Sequence, residues 1–139
     1  MIWTIIIIIG VIILFSFFNS LNKDNHELNQ QSLPEKFQFV VNTLNKAAYN
    51  GNGNITILNK RSFNLYENGQ NQIINFHYST GHLTITWKYK YFHKEIIHEK
   101  QFDDVRNLSL FEQQKMAEVM INEMSVIIEK HQSDILKNM

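Results

Sequence analysis

The hydrophobic and polar positions divide the chain into an apolar beginning and a patterned remainder. Residues 2–18 read IWTIIIIIGVIILFSFF, and no charged residue precedes Lys23. At 1.5 Å per residue, a helix of about 17 residues is roughly 25 Å long, the short end of what crosses a hydrocarbon core. We therefore predict a transmembrane anchor over residues 1–18 that contacts the lipid bilayer through residues 2–18.

A cleaved signal peptide is the main alternative for this segment. The pattern argues against it, because no Lys or Arg precedes the apolar run and the run ends in Phe17-Phe18 without a small-residue cleavage site. Lys23 and Lys36 lie on the C-terminal side of the run, and the positive-inside rule counts such residues. The sequence therefore predicts a single-pass membrane protein whose domain faces the cytoplasm, although so few charges leave the side open.

Polar residues dominate the segment after the anchor. Residues 19–31 read NSLNKDNHELNQQ, and so little apolar surface does not offset the entropy of ordering a chain. We expect a flexible polar spacer there. Ser32 and Glu35 then have the spacing of a capping box, and apolar residues at helical spacing predict a first helix over residues 33–49.

The middle of the chain alternates between apolar and polar positions, as antiparallel strands do. Asn68-Gly69 is typical of a two-residue hairpin turn and would set Phe63 opposite Ile74. A second turn at Thr80-Gly81 would set Ile74 opposite Trp87. Both turns place Ile74 on one apolar face, and this agreement supports a meander of five strands.

A long helix is predicted after the strands. Ser109 and Glu112 form a second capping-box pattern, and apolar residues continue at helical spacing for about 25 residues. The predicted fold is α+β, with a single N-terminal transmembrane helix before a small α-β-β-β-β-β-α domain over residues 32–139. We expect an antiparallel meander sheet with the helices on one face.

The end of this last helix is a candidate interface. A helix of about 25 residues spans roughly 37 Å, whereas five strands at ~4.8 Å spacing are only about 20–25 Å wide. We expect the last turns to overhang the sheet and expose an apolar strip that a protein partner or a second copy could cover. The candidate interface residues are Met124, Ile128, Ile135 and Leu136.

Composition and charge exclude several function classes. The 13 Lys and Arg residues balance the 13 Asp and Glu residues, so we expect no nucleic-acid binding, which needs a basic patch. The chain has no cysteine, which removes disulfides, thiolate catalysis and Cys-ligated metals. We predict no cofactor.

Histidines and acidic residues are the candidate metal-binding or acid–base groups of the chain. His93 and His98 point to opposite faces of a strand, so they do not share a metal, and His98 is expected beside Tyr89 across the hairpin. Asp103-Asp104, near Glu99, precedes a helix start, where acids commonly serve in capping. We assign no catalytic or metal-binding residue.

The polar face of the predicted sheet is the candidate binding surface. His77 and His82 would be diagonal neighbours across the Thr80-Gly81 turn, about 7–8 Å apart at Cα. An ordinary antiparallel sheet with one wet face has the same pattern. The candidate binding residues are Tyr66, His77, His82, Thr84, Lys88 and Lys90.

These observations favour a membrane-anchored interaction or assembly module that recruits or stabilises a partner near the bilayer. The expected partner is another protein or a second copy of the chain. A membrane-anchored ligand-sensing domain that uses the polar sheet face is an alternative. A histidine-dependent metal hydrolase is a weaker one, because no catalytic motif supports it.

Overall fold

The computed structural model describes residues 1–138. Within them it has the predicted α+β class, with an antiparallel meander sheet in the order β1-β2-β3-β4-β5 and helices on its apolar face. The helices are α1 (Ile2–Gln30), α2 (Leu33–Lys36), α3 (Gln38–Tyr49) and α4 (Leu110–Lys137). The strands are β1 (Asn54–Asn59), β2 (Ser62–Tyr66), β3 (Gln72–Ser79), β4 (His82–Tyr91) and β5 (Lys94–Phe102).

Helix α1 is longer than predicted. Its N-terminal part is long and apolar enough to cross a membrane, a property that signal sequences share. The helix then continues without a break to Gln30, so the predicted flexible spacer over residues 19–31 is wrong. The physical reason is docking, because Asp24 and Leu28 are buried against the domain and their contacts offset the ordering entropy.

The first helix of the domain is divided. A turn at Phe37 separates α2 from α3, and the ring of Phe37 lies in the core. The predicted capping box at Ser32 does not form, because the Ser32 side chain makes no cap hydrogen bond. Helix α3 ends as predicted at the Asn-Gly segment, where Asn50 adopts the left-handed conformation with φ 53°.

The two central hairpins differ in how well their turns fixed the register. Thr80 and Gly81 both have positive φ, and Ile74 pairs with Trp87 as predicted. The β2–β3 pairing is offset by two residues, so that Phe63 pairs with Phe76 and not with Ile74. The loop there is longer than two residues, since Gln70 N donates to Glu67 O and β3 starts at Gln72.

The β4–β5 hairpin turns at Phe92 and His93, which both have positive φ. His98 therefore pairs with Trp87 on the strand ladder, and the prediction that it lies beside Tyr89 is wrong. Its ring reaches α4, where Nε2 lies 2.7 Å from Glu123 Oε2.

Helix α4 begins with the predicted capping box, in which Glu112 N donates to Ser109 Oγ and Glu112 Oε2 accepts from Ser109 N. The helix runs along β5, because Glu123 contacts His98 in mid-strand and Gln132 reaches Tyr89 near the hairpin end. The length of α4 should therefore be compared with the length of the strands. The overhang prediction compared it with the width of the sheet.

The candidate interface on α4 is largely covered. Met124 is 1% exposed and Ile135 is 8% exposed, so neither is free for a partner. Ile128 is half-buried and packs against the core, whereas Leu136 is 59% exposed. The predicted apolar strip is thus reduced to an isolated leucine.

Candidate functional site

The junction between α1 and the domain contains a buried carboxylate. Asp24 is 0% exposed, and its Oδ2 accepts from Arg61 Nη1 at 3.1 Å and from the backbone N–H of Thr80. Arg106 Nη2 lies 2.7 Å from Asp24 Oδ1 and donates to Ser20 Oγ at 2.6 Å. A buried charge persists only where it is paired, so this arrangement holds α1 in one position on the domain.

A second set of contacts lies one turn further along α1. Glu27 is 3.3 Å from Lys36 Nζ and accepts from the Tyr78 hydroxyl at 3.3 Å. Burial, followed by the nearby Asp24 and Glu27 charges, raises the pKa of Tyr78, so the hydroxyl stays protonated and donates. Lys60 donates to Asn29 at 2.8 Å, which extends the junction to the β1–β2 turn.

These contacts also define the direction of α1. From Asn29 to Ser20, the helix passes the β1–β2 turn, then the β3–β4 turn, and then Arg106, which follows β5 in the chain. The helix therefore crosses the strand ends, and its apolar part projects from the β5 side of the sheet. The β1 edge is the edge remote from the apolar part.

A cavity of about 900 Å³ lies where α1 leaves the domain. One wall is the α1 surface from Val11 to Lys23, and the other consists of the β3–β4 turn and the segment around Arg106. The volume is in the range of small-molecule sites, which are about 300–1,000 Å³. Its full lining comprises Val11, Ile12, Phe15, Ser16, Asn19, Ser20, Lys23, Thr80, Gly81, His82, Asp104, Arg106 and Asn107.

The two edge strands of the sheet have opposite chemistry. β1 reads NITILN and has no charged residue and no proline. Its apolar side chains are largely in solvent, with Ile55 44%, Ile57 63% and Leu58 54% exposed. β5 reads KEIIHEKQF, which has the charged side chains that commonly prevent an edge from pairing with another chain. The β1 edge lacks that protection.

The predicted binding residues on the polar sheet face are divided between the two ends of the sheet. Tyr66, Lys88 and Lys90 line a shallow depression of about 220 Å³ at the β2–β3 loop end. His77 pairs with Thr84 near the opposite end, as the β3–β4 register requires. The six residues therefore do not form one site.

The histidines and acids do not assemble a metal site. His82 Nδ1 lies 2.9 Å from the exposed Asp103, and Glu99 accepts from Thr86 at 3.0 Å. Within residues 1–138, no three His, Asp or Glu side chains are grouped to hold a metal ion.

Glu123 on α4 is a second acid that a histidine contacts, in this case His98. Its carboxylate accepts from Lys100 at 2.7 Å and also contacts His98. These hydrogen bonds, with that of Lys100 the larger cause, lower the pKa of Glu123. The arrangement fastens α4 to β5.

Sequence reasoning missed the junction residues. Asp24 falls in the predicted spacer, and the sequence does not indicate it as the partner of Arg61 and Arg106 because it lies far from both along the chain. The sequence does contain an indication of this docking. Leu21, Asp24 and Leu28 have helical spacing, and the two leucines that flank Asp24 indicate a buried helix face.

Comparison with known proteins returns no relative of this chain. No protein-family model, no curated protein and no solved structure matches it.

Proposed function

We propose that this chain is a membrane-anchored interaction module that presents the β1 edge of its sheet to an extended segment of a protein partner. The observation that carries the proposal is the chemistry of β1, an uncharged edge strand with three exposed apolar residues. Extended peptides add to such an edge through main-chain hydrogen bonds, and alternate side chains provide specificity.

The docked anchor supports this proposal. Helix α1 carries Asp24 into the domain, so the apolar segment is joined rigidly to the sheet and not through a flexible linker. In a bilayer, the β1 edge would then be held at a fixed height on the side away from the lipid. An edge that must meet a partner benefits from this, because fixed geometry lowers the entropy lost on association.

The same geometry favours a different protein over a second copy in the same membrane. Two β1 strands that pair antiparallel are related by a twofold axis perpendicular to the sheet. Because α1 runs across the strand ends, roughly in the plane of the sheet, this axis would point the two anchors in opposite directions. Two copies anchored in the same bilayer therefore cannot pair through their β1 strands in this way.

Retention of the anchor is tested by mass determination of the membrane-extracted protein. We expect an intact N-terminal segment, since residues 19–30 belong to the helix that packs on the domain. The domain is proposed to face the cytoplasm, on the side of Lys23. A mature chain that starts near Ser20 would contradict the anchor.

The edge proposal is tested by photocrosslinking from position 56 in native membranes, with the full chain carrying a photoreactive residue in place of Thr56. Ile57→Lys should abolish the crosslinked species, because a charge on an edge strand opposes strand addition. Ile97→Lys is the matched control, since Ile97 on β5 is 58% exposed against 63% for Ile57.

The two variants separate edge pairing from general stickiness. We expect the crosslink to survive Ile97→Lys, and the crosslinked peptide of the partner to be an extended apolar segment. Equal crosslinking in both variants, or a crosslink to a second copy of this chain, would overturn the proposal.

A ligand-sensing role is the second candidate, and the junction cavity is the observation that favours it. Of the six candidate binding residues, His82 lines this cavity, whereas Tyr66, Lys88 and Lys90 line the depression at the other end of the sheet.

A further inference from the structure

The junction cavity spans the end of the apolar run of α1. Val11 lies seven residues before Phe18, or about 10 Å deeper along the helix, and Lys23 lies about 7 Å beyond it. If α1 crosses a bilayer, the cavity therefore extends from the acyl region into the headgroup region. The inference drawn here rests on that proposed anchor.

The deeper half of the cavity is apolar. Val11, Ile12 and Phe15 line it, and all three are exposed on the surface of α1. Such a wall suits a hydrocarbon chain that runs alongside the helix. It does not suit a small soluble anion, which has nothing to bury there.

The outer half is polar, and Lys23 and Arg106 are the two cations among its lining residues. Arg61 and Arg106 share the single carboxylate of Asp24, which leaves one positive charge uncompensated in this cluster. Lys23 adds a second positive charge, and Asp104 opposes one. A phosphate group is complementary to this arrangement.

We propose that the cavity binds one anionic phospholipid of the surrounding bilayer. The phosphate lies between Lys23 and Arg106, and an acyl chain lies against Ile12 and Phe15. The lipid fills the space between the anchor and the two loops that face it, and it thereby adds to the contacts that fix the domain on the membrane.

The test measures lipid retained by the full chain after extraction from membranes into mild detergent. Dioleoylphosphatidylglycerol is the probe, dioleoylphosphatidylcholine is the reference lipid, and native mass spectrometry counts the bound molecules. Lys23→Gln should reduce retained phosphatidylglycerol about fivefold, as loss of one cation near a lipid surface does. Lys46→Gln, an exposed lysine on α3, should leave it unchanged.

A second pair of variants tests the apolar wall without changing charge. Ile12→Trp should fill the deeper half and reduce retention, whereas Ile8→Trp, at a similarly exposed position outside the cavity lining, should not. Both positions lie on the free surface of α1, so neither change should unfold the domain.

The outcomes are distinguishable from failure of the proposed function. If the protein is absent from the membrane fraction, the anchor fails and the lipid site fails with it. If the anchored protein retains equal amounts of lipid in all variants, the lipid site alone is overturned, because the retained lipid is then bound nonspecifically. Displacement of the lipid by inorganic phosphate would also overturn it, in favour of a soluble anion.

Discussion

At the scale of single residues, Asp24 connects the most distant parts of the chain. Its carboxylate is contacted by side chains from the β1–β2 turn and from the segment after β5, and by the backbone of the β3–β4 turn. Removal of one partner from a buried ion pair leaves an uncompensated charge, which costs more than the pair itself contributed.

We predict that Asp24→Ala lowers the free energy of unfolding by about 3–5 kcal/mol, since it leaves Arg61 and Arg106 facing each other without a counter-charge. Urea unfolding of the full chain in detergent, followed by circular dichroism, measures the loss. Asp103→Ala is the control, because this exposed acid should cost under about 1 kcal/mol. Equal losses would mean that the junction does not depend on Asp24.

Trp87 and Thr86 test the two faces of the sheet. Trp87 is buried and donates to Gln72 Oε1 at 2.9 Å, whereas Thr86 lies on the opposite face. Trp87→Ala should cost about 3–5 kcal/mol and Thr86→Ala under about 1 kcal/mol. Comparable losses of stability in thermal unfolding would mean that Trp87 does not lie on the core face of the sheet.

Single residues also show where sequence reasoning is sufficient. Trp87 could be placed in the core because alternation along a strand is a local property of the sequence. Asp24 could not, because the residues that make its burial tolerable belong to other elements. A polar stretch is disordered or docked depending on partners that the stretch itself does not contain.

At the scale of elements, turn length decided which registers were predictable. The two residues Thr80 and Gly81 form the turn alone, so the β3–β4 pairing followed directly. The Asn68-Gly69 turn is embedded in a longer loop, in which Gly69 but not Asn68 has positive φ. The two-residue offset kept the apolar residues on the correct face because side chains alternate with period two.

The end of α4 gives the prediction at this scale. Ile135 is buried and its neighbour Leu136 is exposed, so the two positions separate packing from association. We predict that Ile135→Lys destabilises the domain by at least about 2 kcal/mol, whereas Leu136→Lys changes stability by under about 1 kcal/mol. Thermal unfolding measures both, and sedimentation of Leu136→Lys should show unchanged association. Stability unaffected by Ile135→Lys would restore the overhang that the sequence suggested.

At the scale of the whole molecule, the docked helix is what both proposals share. A flexible tether would let the β1 edge and the junction loops take any orientation to the bilayer. In the proposed arrangement, a docked α1 holds the β1 edge away from the lipid and holds the cavity at the lipid surface. The fold class was predictable from periodicity, but this relation between anchor and sheet depends on contacts that only the folded chain brings together.

The most direct measurement is the distance distribution between spin labels on α1 and on the domain. The chain has no cysteine, so Asn22→Cys and Lys46→Cys, both at exposed positions, introduce the only labelling sites into the full chain in lipid nanodiscs. Pulsed electron resonance should give one narrow distribution, and Asp24→Ala should broaden it. A broad distribution in the unaltered junction would show a flexible tether and contradict the account.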